Sequence, residues 1–161
     1  MAVLDDQSEM AVSGHDRPFV ENRLVGKALK FWETVRDGRD LPSTDDLSSS
    51  ECPFGPSETM VIEVGTTEND DTIVAAGEKI TLALGVDPTG LGALEALPSS
   101  TEMGLSFCRA SVDLKKPMAD VGRFFNRKGE EVLYRSILLP LSDDGQTVNR
   151  VVSAFSYKIV H

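Results

Sequence analysis

The chain has 161 residues, which suits one domain with a core of its own, and its 40% hydrophobic and 26% charged residues are a globular composition. A formal net charge of −10 lacks the basic footprint that nucleic-acid binding needs and argues against adsorption to anionic membranes. The opening MAVLDDQSEM has neither the basic nor the apolar region of a signal peptide. No apolar run approaches bilayer length. The two cysteines, Cys52 and Cys108, follow no CxxC or zinc spacing and read as free, reduced thiols, so a cytoplasmic location is expected.

The charge is uneven. Residues 1–72 carry 16 acidic and 6 basic side chains and hold the whole negative excess, whereas residues 73–161 carry 10 of each. Residues 1–20 read as an acidic flexible arm, residues 21–40 as an N-terminal helix and its exit, and residues 41–161 as a single domain.

In chain order, Leu24, Ala28, Phe31 and Val35 recur at helical spacing with Trp32 beside them, predicting a helix from Glu21 to Arg36 that Gly38 terminates. Pro42, Pro53 and Pro56 mark a loop. Thr59–Val64 and residues 72–76 are β-branched runs and predict two strands. Glu78–Leu84 is a short helix with Gly85 at its end, and residues 91–97 offer a further helical turn. Ser99 and Glu102 have capping-box spacing before a helix that turns Met103, Phe107, Ala110 and Leu114 to one face and stops at Pro117. Three apolar segments follow, from Val121 to Asn126, from Glu131 to Leu141 and from Thr147 to Val160, separated by turns at Gly129 and Gly145. They predict an antiparallel meander. The whole is an α+β plan, a five-stranded antiparallel sheet covered on one face by short helices, with an extra N-terminal helix.

This order resembles the PAS domain. Phe31-Trp32-Glu33-Thr34-Val35-Arg36-Asp37-Gly38-Arg39-Asp40-Leu41-Pro42 is similar to the "YW…LR.GR..P" signature of a bacterial PAS subfamily, common in alphaproteobacteria and often made of small stand-alone proteins. Leu84-Gly85-Val86-Asp87-Pro88-Thr89-Gly90 resembles its "G.DLTG" turn, with Pro88 in place of Leu. Leu138-Leu139-Pro140-Leu141-Ser142-Asp143-Asp144-Gly145 resembles its "LLPLSDDG" strand and turn. The segment at Cys52-Pro53-Phe54 departs from the usual Pro-His-Leu, and the Asp-x-Thr ending that couples many PAS domains to a following helix is absent. The resemblance implies a stand-alone sensory or regulatory module, without a fused output, acting in signal transduction through protein–protein contact.

The sites follow from this plan. Ile80, Leu84, Leu97, Met103, Phe107, Ala110, Leu114, Val121, Phe125, Leu133 and Ile137 are expected to face the curve of the sheet, where they line a pocket for a small apolar ligand or fill it as core. Leu24, Ala28, Phe31, Trp32 and Val35 are expected to form a homodimer or partner interface, because adjacent Phe31 and Trp32 point about 100° apart on a helix. The only histidines, His15 and His161, lie in opposite tails, so neither a haem ligand nor a nucleophile–base pair is at hand. Phe107-Cys108-Arg109 echoes part of a light-sensing motif without its flanking Asn. No cofactor, no metal and no enzymatic activity are therefore expected, and flavin is read against together with haem. The alternative is a ketosteroid-isomerase-like α+β cone with small-molecule binding or enzymatic activity, which would need an acid or base inside the cone.

Overall fold

The helix expected from Glu21 begins at Phe19 and runs to Arg36 (α1). The structure, a computed structural model, describes residues 19–96 and 102–161, with side chains over 24–96 and 108–161. The acidic arm up to residue 18, Leu97 and the Ser99 capping box therefore lie outside the described residues, as do the side chains of Met103 and Phe107. Val25, Ala28, Leu29 and Trp32 form the buried stripe of α1, spaced for one helical face. The helix ends where Asp37 and Gly38 turn left-handed, with φ of 52° and 82°. Arg39 closes it with its side chain, donating to Val35 O at 2.6 Å and to Arg36 O at 2.9 Å and reaching Asp46 at 2.9 Å.

Strands β1 (Thr59–Glu63) and β2 (Thr72–Ala76) precede helix α2 (Glu78–Leu84), the short turn α3 (Ala93–Ala96) and helix α4 (Glu102–Leu114). Gly85 ends α2 at φ 80°, a conformation that the absence of a Cβ makes cheap. Strands β3 (Met118–Phe125), β4 (Glu131–Leu141) and β5 (Arg150–Val160) complete one antiparallel sheet of order β2-β1-β5-β4-β3. The last strand is thus the central one, pairing Val61 with Val152 on one side and Ile137 with Ala154 on the other.

Opposed residues in such a ladder share a face. One face carries Asp120, Gly122 and Phe124 of β3, Val132, Tyr134 and Ser136 of β4, and Ser153, Phe155 and Tyr157 of β5. Met60 and Ile62 of β1 continue it. This is the inner face, packed under α2 and α4. The other, outer face carries Val121, Arg123 and Phe125 with Leu133, Arg135, Ile137, Leu139 and Leu141. Helix α1 packs on β4 and β5 and covers only part of it, where Ile137, Leu139, Leu141 and Ala154 are fully buried. Trp32 Nε1 donates to Pro140 O at 2.9 Å, and Ser142 N donates to Pro42 O at 2.9 Å. These two bonds set the C-terminal end of α1 at the Pro140–Ser142 end of β4.

Candidate functional site

Of the eleven residues expected in the pocket, Ile80 and Leu84 are buried on α2, and Ile137 is fully buried. Ile137, however, lies on the outer face beneath α1. Val121 and Phe125, each 61% exposed, and Leu133, 41% exposed, lie on that same outer face and line no interior. The four strand residues were expected on one face and do share one. The error is a single step of phase, which moves every side chain of a strand to the opposite side. Leu114 is 56% exposed, and Ala110 is only partly buried. The described inward residues of α4 are Cys108 and Ser111, whose hydroxyl donates to Cys108 O at 2.7 Å and so enters the core at little cost.

The inner face instead holds a buried polar pair that hydrophobicity could not point to. Tyr134 Oη donates to Asp120 Oδ2 at 2.8 Å, and both residues are buried. The two sit on neighbouring strands, and Gly122, opposite Tyr134, leaves room for the ring to cross β3. A Cβ at Gly122 would stand 3.3 Å from the Tyr134 hydroxyl. Burial raises the Asp120 carboxyl above its ordinary range, against hydrogen bonds from Tyr134 and the Val121 backbone that lower it. Burial and the neighbouring carboxylate raise Tyr134 as well.

Around this pair runs an aromatic wall. Tyr134 packs on Phe124 with centroids 5.7 Å apart and stacks on Phe155 at 5.8 Å, and Phe155 stacks on Tyr157 at 5.8 Å. Ser136 and Ser153 lie buried on the same face. A flat apolar surface with hydroxyl and carboxyl groups at its edge is the chemistry that a planar heteroaromatic ring system needs.

Helix α4 is tied down beside this wall. Arg109 Nη2 donates to Asp71 Oδ1 at 2.8 Å and to Gly65 O at 3.2 Å, while Asp71 Oδ1 also accepts from Gly65 N at 2.8 Å. The buried carboxylate thus joins α4 to the segment between β1 and β2. Cys108, adjacent to Arg109, has its thiol pushed up to about 12 by burial first and by Asp71 next. Among the described residues no three His, Cys, Asp or Glu side chains gather as a metal site, and no helix is long and apolar enough to cross a membrane.

The expected interface on α1 is also corrected. Ala28 and Trp32 are buried against the chain's own sheet and are not available to a second copy. Phe31 packs edge-on against Phe54 at 6.4 Å, so the second aromatic finds its surface within the domain. Leu24 and Val35 are partly buried. A loop aromatic thus gives Phe31 an apolar neighbour within the domain.

No family model matches the chain. No curated protein matches it. Solved structures do resemble its fold. The LOV domain from the Erythrobacter litoralis EL346 blue-light activated histidine kinase aligns with a TM-score of 0.51 and 9% identity over 66% of this chain and 99% of that one. A light-oxygen-voltage domain described with a flavin analogue aligns at 0.50 and 12% identity over 73% of this chain and 83% of that one. RsLOV aligns at 0.50 and 12% identity over 62% of this chain, which spans 58% of that chain. These neighbours overturn the expectation against flavin, because structures of this fold include one described with a flavin analogue. The acid that the alternative cone required is present, as Asp120, but it sits in a different architecture. With the sheet order β2-β1-β5-β4-β3, helices over its inner face and these neighbours, the chain folds as a PAS domain.

Proposed function

We infer that this PAS domain is a sensory or regulatory module that holds a small planar ligand against the inner face of its sheet and signals through protein–protein contact. The observation that carries this reading is the Asp120–Tyr134 pair buried within the aromatic wall of Phe124, Phe155 and Tyr157. A ring system stacked there meets apolar carbon across its face and hydrogen-bonding groups at one edge. Flavin is one ring system of this class, and a neighbour of the fold is described with a flavin analogue. The role inferred is binding, with the Asp120–Tyr134 pair at the edge of the stacking surface. Ligand occupancy can act on a partner only by favouring one of two states. Helix α4, which covers the wall and is anchored through Arg109, is the element placed to differ between them.

The bacterial stand-alone subfamily is supported by its motifs meeting in space, Trp32 on Pro140 and Pro42 on Ser142. The free thiols of Cys52 and Cys108 accord with a reducing, cytoplasmic setting. The test is the absorption spectrum and native mass of freshly purified protein, followed by melting with riboflavin and other planar heteroaromatics. A retained mass or a ligand-dependent rise in melting temperature is expected, weakened about tenfold in affinity by Tyr134→Phe, the worth of one hydrogen bond near a charge. A colourless protein of bare mass, unmoved by every ring system tried, overturns the reading.

A further inference from the structure

The outer face of the sheet is divided. Under α1 it is sealed, but beyond Ile137 it opens into a groove of about 400 Å³ lined by the outer-face residues Val121, Leu133, Arg135, Ser156 and Lys158 together with Gly122, Tyr134 and Tyr157 of the same three strands. Val121 and Leu133 are exposed apolar side chains on the floor of this groove, and Phe125 continues the patch. The charge around it is positive. Arg123, Arg135 and Lys158 share the face, against which stands Glu131, held by Arg123 at 2.8 Å. The surface is therefore apolar at its centre and basic at its rim, in a chain whose net charge is −10.

We propose that residues 1–18 of this chain dock on this groove. Three observations select them over other occupants. Their charge is complementary, since Asp5, Asp6, Glu9 and Asp16 stand against Arg17. Their apolar residues, Val3, Leu4 and Val12, lie among those acids in sequence and suit the apolar floor set by Val121 and Leu133. Their point of departure is on this side of the sheet, because α1, which they lead into, packs on β4 and β5. Eighteen residues reach up to about 60 Å when extended, more than one sheet face requires. A second copy would instead bring Arg123, Arg135 and Lys158 against their own likeness, with no acidic partner but Glu131. The docked segment then covers the free half of the outer face and competes with any partner that needs it.

The test uses the full chain with a nitroxide on Gln7→Cys in a Cys52→Ser background, Cys108 being buried and its thiol raised out of reach of the label. Amide signals of Val121, Leu133, Arg135 and Lys158 are read by NMR at low salt and again at about 500 mM, where the Debye length falls to a few ångströms. Broadening of these four at low salt, relieved by salt and by Arg135→Glu with Lys158→Glu, is the expected result. No broadening on this face at low salt overturns the proposal, and so does broadening confined to other surfaces. Broadening that survives when labelled, NMR-silent chains are mixed with unlabelled visible ones also overturns it, because the occupant is then a second copy. The salt series on the unmutated face decides the matter even if the double variant misfolds.

Discussion

Asp120 is the residue at which this chain departs furthest from an ordinary core. A carboxyl raised by burial binds its proton more tightly in the folded than in the unfolded chain. Between the ordinary value of 3.8 and the higher folded one, the native state therefore holds more protons, and stability falls as pH rises through that window. Below 3.8 the penalty is absent, and above the folded value it is complete. Urea unfolding of Asp120→Asn is expected to lose this slope, while the unsubstituted chain keeps it. Equal slopes in both would remove Asp120 as its source. Tyr134→Phe acts on the same pair from the other side, leaving a buried carboxylate without its hydroxyl donor. It is expected to cost about 1–3 kcal/mol at neutral pH, read as a lower urea midpoint at unchanged m-value. Asp120 was invisible in the sequence because an acid within MADVGRFF reads as a surface residue, and only the opposed Tyr134 and the space left by Gly122 make it an interior one.

At the scale of elements, α1 is an integral layer of the domain. Its Trp32 spans 108 residues of sequence to donate to Pro140 O and is 3% exposed. Trp32→Phe removes that bond and part of the ring, for an expected loss of about 1–3 kcal/mol. The same variant should sediment as the parent chain does at equal concentration; a change of oligomeric state without loss of stability would restore the interface once expected at this residue. Element boundaries were largely legible. β2, α2 and the span of β4 fall where β-branched runs, a C-terminal glycine and two turn signals put them. The phase of β3 and β4 was not legible, because both faces carry apolar residues: Phe124 and Phe125 are neighbours, as are Val132 and Leu133. Apolar count favoured the odd positions Val121, Phe125 and Leu133, which are exposed, whereas the fold turns the even positions inward and buries Asp120 and Ser136 among them. Inward Ser111 on α4 was not legible for the same reason, since Leu114 is the more apolar choice and yet stands in solvent.

For the whole molecule, the motifs that suggested the fold are contact sites with one another, which is why they could be recognised without any knowledge of the ligand. The FWETVRDGRDLP and LLPLSDDG segments close on each other through Trp32, Pro140, Pro42 and Ser142. They report architecture, whereas the inner face, which carries the inferred binding chemistry, contains none of them except Leu138 and Pro140 at its end. The sheet order carries one more consequence, for the order of events on the ribosome. Because β5 is central, β1 and β4 each present an open edge until residues 150–160 have been made. The β2-β1 and β4-β3 hairpins can form early but have no strand in common. Their union waits for β5, so the sheet assembles after its other four strands have been synthesised and its contacts are mostly non-local. A nascent chain stalled before Arg150 carries two separate hairpins with unpaired edges, the form most exposed to aggregation and to capture by chaperones.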